Sequence, residues 1–305
     1  MIDTVITIHE VVQRIPEWHG RKVEVRSLSG GLTNTNYRVE VDGKPYFVRV
    51  PGASTELLAI DRENEVHNSI AAAEAGVAPR VLHHLPEQHV MVLEFIDGVT
   101  KSVASMQTPG VPAQVAASLK RLHAGRRFLR DFDMFRLVEF YLQIASQHSV
   151  QIPPGYPDRL AVVTEIEKAI RHHPLATVPC NNDLLPENFI DDGQRLMLVD
   201  FEYSGNNDPC FELGNTCQEA RYDEARYVEL CAAYFGAPRP ALLGRMHLHA
   251  IMSDVGWTLW GAIQNTISKL EFDFWAYALG RWERAQAMLD SAEFPGWLRS
   301  AERGD

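Results

Sequence analysis

The sequence is poor in cysteine and in positive charge, and it has no long uncharged apolar run. Only four cysteines occur in 305 residues: Cys180, Cys210, Cys217 and Cys231. No two are spaced C-x-x-C, which argues against a thiolate zinc site. Four thiols in so long a chain do not make a disulfide framework, and they read as reduced thiols of a cytoplasmic protein. Lys plus Arg number 29 against 40 for Asp plus Glu, a formal net charge of −11. A phosphate backbone calls for a cationic surface, so nucleic acid is not an expected partner. The acidity suits a cationic substrate and, equally, ordinary solubility. No stretch approaches the ~18 uncharged apolar residues of a membrane span, so no membrane insertion is expected. Met1-Ile2-Asp3-Thr4 opens without the basic region and apolar run of a signal peptide. At 46% apolar and 23% charged the composition is that of a globular chain, long enough for two lobes.

The first ninety-odd residues read mainly as strands. Val23 to Leu28 alternates apolar and polar until Ser29-Gly30-Gly31 breaks it. Asn36 to Val41 and Tyr46 to Val50 flank Asp42-Gly43-Lys44, a hairpin signal because glycine tolerates positive φ. Ile60 to Ala75 has helical composition and stops at Gly76; Arg80 to His84 and Val90 to Phe95 read as two more strands. Beyond Asp97-Gly98, helices are expected at Val111–Ala124, Met134–Gln147, Pro157–His173 and from Ala220 onward. Between Cys180 and Phe211 the pattern is irregular, with one apolar run at 196–199. There are no repeats and no low-complexity segments. A hinge near Glu94 to Gly98 is expected to divide the chain into lobes 1–96 and 97–305.

The segment Cys180-Asn181-Asn182-Asp183-Leu184-Leu185-Pro186-Glu187-Asn188 carries an Asp and, five residues on, an Asn; Asp200 follows at the end of an apolar run. Metal-assisted phosphoryl transfer needs such parts, because positioning and charge neutralisation supply most of its catalysis. Asp183 could orient and deprotonate a hydroxyl, while Asn188 and Asp200 offer the hard oxygens that magnesium prefers. The D-x-x-x-x-N spacing alone is better explained by the frequency of Asp and Asn in loops. It gains weight from its company. Ser29, Gly30, Gly31, Thr33 and Asn34 form a small-residue loop between strands that could approach phosphates. Arg49 lies in a strand and Glu65 on the helix after it, where the two could pair. Six such parts in this order are hard to assemble by chance. Farther on, nine of the 41 residues from Trp257 to Trp297 are aromatic, about 22% against 9% for the chain. Trp257 and Trp260 share a helical face. With Tyr277 they suit a cage for a quaternary ammonium, whereas Phe274, Trp275 and Trp282 read as core.

This order resembles the protein-kinase-like fold in its small-molecule branch, an α+β architecture with a small β-rich N-lobe and a larger helical C-lobe. The motifs L-S-G-G-L-T-N at 28–34, F-V-R-V at 47–50, C-N-N-D-L-L-P-E-N-F at 180–189, L-V-D-F-E-Y-S at 198–204 and W-T-L-W-G-A-I-Q-N at 257–265 are similar to those of the choline/ethanolamine kinase family, in the wider group of aminoglycoside phosphotransferases. The resemblance implies Asp183 as catalytic base and Asn188 and Asp200 as magnesium ligands. It implies Arg49 on the phosphates of ATP, braced by Glu65, with Ser29 to Asn34 covering the nucleotide and Glu94, Phe95 and Ile96 holding the adenine. Trp257, Trp260, Phe272 and Tyr277 would line the amine pocket, helped by Glu202, Tyr203 and Glu219, and Glu212 would anchor the catalytic loop. Asn181 stands where the family has His, a change expected to bear on loop stability. Ala220 stands where an aromatic is usual, and is expected to open the pocket. The expected partners are ATP with Mg²⁺ and choline or ethanolamine; an aminoglycoside or thiamine acceptor is the alternative. A non-catalytic nucleotide-binding module is the other reading, and a homodimer is the assembly considered.

Overall fold

The structure, a computed structural model, describes residues 6–28, 31–52 and 55–304; Ser29 and Gly30 lie outside the described residues. A short helix α1 (Ile8–Gln13) starts at Thr7, which exchanges hydrogen bonds with Glu10 in a reciprocal cap. Five strands follow, β1 (Val23–Leu28), β2 (Asn34–Val41), β3 (Lys44–Pro51), β4 (Val81–Leu85) and β5 (Val90–Glu94), with helix α2 (Arg62–Glu74) inserted after β3. They form one antiparallel sheet in the order β1-β2-β3-β5-β4. The β2–β3 turn is two residues, Asp42 (φ 50°) and Gly43 (φ 83°), with Lys44 already paired to Val41. Both central residues at positive φ match the twist of the flanking strands.

Strand alternation decides what the sheet presents. Val48, Val50, Val90 and Val92 are buried with Ile8, Val11 and Trp18 on one face. Phe47, Arg49, Met91 and Leu93 therefore point to the other face, where they line a cleft. Helix α2 is shorter than composition suggests, because Asp61 Oδ1 caps it by accepting from the Glu63 and Asn64 amides. It stops before Gly76, whose φ of 73° no helix can hold.

The rest of the chain is mainly helical. After β6 (Val99–Thr100) come α3 (Val103–Met106), α4 (Val111–His123), α5 (Met134–Gln147) and α6 (Leu160–His172). Short strands β7 (Val178–Cys180), β8 (Phe189–Asp191), β9 (Leu196–Leu198) and β10 (Gly205–Asn207) then carry the loops that matter for chemistry. Helices α7 (Pro209–Glu219), α8 (Glu224–Phe235), α9 (Pro240–Ile267), α10 (Phe274–Leu289) and α11 (Phe294–Arg303) complete it. The stretch read as irregular thus begins at the end of β7 and holds three strands of three residues each, too short to impose a visible period. Helix α9 is buried almost continuously from Leu242 to Gln264, and its polar members Arg245, His249 and Asp254 are buried with ion-pair partners. Among the described residues, no helix is long and apolar enough to cross a membrane.

Helix α7 approaches α9 at Gly214, where a Cβ would lie 2.3 Å from the Met246 carbonyl oxygen and 3.0 Å from the Ala250 nitrogen. At Gly280 in α10 a Cβ would meet nothing within 4 Å. Gly214→Ala should therefore destabilise the protein by about 3 kcal/mol through overpacking against backbone. Gly280→Ala should stabilise it by about 0.5–1 kcal/mol through helix propensity. Chemical denaturation of the two variants checks the contrast in sign.

Candidate active site

A cavity of about 580 Å³ separates the exposed face of the sheet from the short-strand segment. Gly31, Arg49, Glu94, Phe95 and Ile96 line it from the sheet side, and Asn188 and Asp200 from the opposite side. The Glu94 carboxylate turns outward to Arg80, at 3.1 Å.

Arg49 is 6% exposed, and its guanidinium is surrounded by acid. Nε lies 2.9 Å from Glu65 Oε1, while Nη2 meets Asp200 Oδ1 at 2.8 Å and Glu202 Oε2 at 2.9 Å. Arg62 adds a second cation, 2.7 Å from Glu65 Oε2 and 3.3 Å from Glu202 Oε2. Glu202 also accepts from Thr33 Oγ1 at 2.7 Å and Asn34 Nδ2 at 2.9 Å. Glu202, expected at the wall of the amine pocket, thus gives its carboxylate to four donors, Arg49, Arg62, Thr33 and Asn34. Thr33 and Asn34 are correspondingly fixed on Glu202.

The loop from Asn181 to Asn188 is held from below. Glu212 Oε1 accepts from the backbone N–H of Asn181 at 2.6 Å and of Asn182 at 3.1 Å, while its other oxygen is 2.5 Å from His123 Nε2. The Leu184 amide donates to Asn215 Oδ1 at 2.8 Å. Asn181 bridges two segments: its Nδ2 donates to the carbonyls of Val199 (3.2 Å) and Asp200 (2.8 Å), and its Oδ1 accepts from Asp183 N at 3.1 Å. Asn182 and Asp200 adopt φ of 69° and 64°, a left-handed conformation that Asn and Asp tolerate better than most side chains. Asn188 Nδ2 donates to the Asp183 carbonyl at 2.7 Å, which leaves its amide oxygen as the acceptor end. Burial raises the Asp183 carboxyl well above the usual carboxylate range, Asp200 and Glu219 push it further in the same direction, and Arg281 opposes them. His123, Cys180 and Glu212 also bring metal-capable atoms within 4.8 Å of one another. The close His123–Glu212 hydrogen bond makes them a prop for the loop.

An aromatic group gathers about Trp260. Trp260 Nε1 donates to Tyr203 Oη at 2.7 Å, and the Tyr203 ring meets Trp257 edge-on at 4.8 Å. Tyr277 lies 5.5 Å from Trp260 and 6.2 Å from Phe272. Phe272 is 43% exposed; Trp257 and Trp260 are buried, and Trp257 Nε1 finds no hydrogen-bond acceptor among the described residues. Phe274 and Trp282 are buried and Trp275 partly so. Glu219 is clamped by Arg281, whose guanidinium carbon sits 4.7 Å from the Tyr277 ring centre. Ala220, expected to open the pocket, is fully buried in the core cluster with Cys217 and Leu230. Arg62, His123, Asp254 and Arg281 were not singled out from the sequence. Only Arg281 had a signal, its i, i+4 spacing from Tyr277.

A sheet-walled cleft lined by Arg49, Asn188 and Asp200, with the Asp183 loop bonded to both Asn188 and the Asp200 segment, has the parts of a kinase-like phosphotransferase. The family profile described as "Phosphotransferase enzyme family" matches residues 24–249. A choline/ethanolamine kinase family protein from Mesorhizobium loti, solved as a crystal structure, is 37% identical and superposes with a TM-score of 0.86 over 97% of this chain and 98% of its own. A solved structure of LicA in complex with AMP is 25% identical, with a TM-score of 0.75 over 92% and 97%. Ethanolamine kinase 2 of Mus musculus is 27% identical over 92% of this chain and 80% of its own length. The chain belongs to the phosphotransferase enzyme family and, within it, to the choline/ethanolamine kinase family.

Glu212→Ala would leave two buried amide N–H groups and the His123 ring without their acceptor. It should cost about 3 kcal/mol of stability, read as a lower denaturation midpoint with an unchanged slope.

Proposed function

We propose that the chain transfers the γ-phosphoryl group of ATP to the hydroxyl of a small amino alcohol, choline first and ethanolamine second. In this reading residues 1–96 bind the nucleotide, residues 97–305 carry the base and the acceptor pocket, and the enzyme works in the cytoplasm. The observation that carries it is the position of Asp183. Asn181 bridges the Asp183 loop to the Asp200 segment, the Asp183 backbone carbonyl accepts from Asn188, and Asn188 and Asp200 line the cleft.

Asp183 takes the proton of the acceptor hydroxyl as the new oxygen–phosphorus bond forms and the bond to the departing ADP breaks. Arg49, aimed by Glu65, contacts the phosphates, and the backbone of Glu94 to Ile96 holds the adenine. Asn188 and Asp200 offer a neutral amide oxygen and a carboxylate to the same cleft. That hard-oxygen set fits Mg²⁺, and they are the residues that would hold it. When bound, the ion supplies positive charge to the phosphate oxygens. Trp257, Trp260, Tyr203, Phe272 and Tyr277 receive the ammonium group.

Purified protein should consume ATP with choline or ethanolamine in a coupled assay, and lose this on chelation of Mg²⁺. Asp183→Asn should lower kcat by about 10³-fold; activity that survives contradicts the assignment. Because the Asp183 pKa is raised, the base is ionised only above the ordinary carboxylate range. Activity should therefore fall as pH drops through that raised value, with an acid limb displaced upward from that of an exposed Asp. Glu202→Gln should release Thr33 and Asn34 and raise the KM for ATP more than it lowers kcat.

A further inference from the structure

The chain between β1 and β2 belongs to the N-lobe, yet Leu32, Thr33 and Asn34 are all seated on the C-lobe. The Leu32 side chain packs against the core cluster that contains Trp257 and Trp260 of α9. The Leu32 carbonyl accepts from Gln264 Nε2 of the same helix at 3.2 Å. Thr33 and Asn34 bond Glu202 through their side chains. Leu32 lies between β1 and β2, so no strand ladder supplies its carbonyl with a partner. On its other side the loop meets its own sheet: the Gly52 N–H donates to the Thr33 carbonyl at 2.9 Å, and a Cβ at Gly52 would lie 2.3 Å from that oxygen.

Gln264 ends the buried run of α9 and is 4% exposed. A buried amide without a partner is costly, and the Leu32 carbonyl is the acceptor that its Nε2 takes. Gly31, next to Leu32, lines the cleft with Arg49 and Asp200. A loop serves phosphate oxygens best when it is held in place beforehand, because ordering it on binding costs conformational entropy. We propose that Gln264 is a positioning residue for the phosphates of the nucleotide: by holding the Leu32 carbonyl it fixes residues 31–34 at the cleft. The base, held by Glu94 to Ile96 in this reading, does not depend on that contact. The inference rests on the nucleotide reading above.

Calorimetric titration with Mg-tripolyphosphate and with adenosine separates the two ends of the nucleotide without turnover. In Gln264→Leu the tripolyphosphate affinity should fall about fivefold, the worth of one hydrogen bond, while the adenosine affinity stays within about twofold of wild type. The KM for ATP should rise by the same factor and the KM for the acceptor alcohol should not change; a general disturbance of α9 would move both. Leu32→Ala removes the apolar seat instead of the hydrogen bond, at a partly buried position, and should show the same one-sided loss. It decides the matter if Gln264→Leu does not fold. Equal weakening of both ligands, or an unchanged tripolyphosphate affinity in the folded variants, overturns the inference. A wild-type protein that binds neither ligand sinks the nucleotide reading and the inference with it, whereas a wild type that binds both, matched by its variants, sinks the inference alone.

Discussion

A carboxylate removed from water must find donors, or the site around it does not form. The stretch from 202 to 219 buries four, Glu202, Asp208, Glu212 and Glu219; Asp208 is held by Arg245, and the three glutamates each face a different part of the molecule. Glu202 reaches the N-lobe through Arg49, Arg62, Thr33 and Asn34. Glu212 carries the catalytic loop on two backbone amides. Glu219 holds Arg281 against the aromatic chamber. Cleft, loop and chamber are thus tied to one segment, and the position of Asp183 relative to all three follows from it. The desolvation cost of these glutamates makes the arrangement specific, because a slipped partner would leave a buried charge alone.

Backbone conformation adds a second constraint on the same loop. Asn182 and Asp200 sit at positive φ, where a β-branched residue would be strained. The amide of Asn181 joins them, since it bonds the carbonyl of Asp200 and the nitrogen of Asp183 at once. A His at this position could offer two ring nitrogens; Asn offers an amide donor and a carbonyl acceptor and uses both. The departure from the family pattern therefore leaves the loop bridged.

Much of this was legible in the sequence because it is local. The Asp42-Gly43 turn, the end of α2 before Gly76 and the order of strands and helices depend on residues a few positions apart. The motif around Asp183 and Asp200 draws its weight from the order of its companions along the chain and from the family resemblance, since its spacing alone suits any polar loop. What stayed hidden depends on contacts between distant residues. Nothing near Glu202 in the chain says that it binds Thr33, 169 positions earlier. His123 reaches Glu212 across 89 positions, and Ala220 gives no sign in sequence of whether it faces a pocket or the core. The aromatic enrichment was visible, but not that Arg281 would occupy one of its ring faces, because a cation–π contact leaves no composition signal.

Charge bookkeeping separates the two halves of the site. Around the cleft, Glu65, Asp200 and Glu202 bring three negative charges against two from Arg49 and Arg62, and an ionised Asp183 adds to the surplus. Arg49 is shared among three acids, so none of them is fully neutralised by it. Such a cleft attracts a cation more readily than a bare polyphosphate, and a nucleotide is best accommodated when its own charge arrives partly compensated. Beside the rings the balance is zero: Glu219 and Asp254 against Arg281 and Arg284. A neutral quartet exerts little net field on its surroundings, so the surplus of negative charge is concentrated at the cleft.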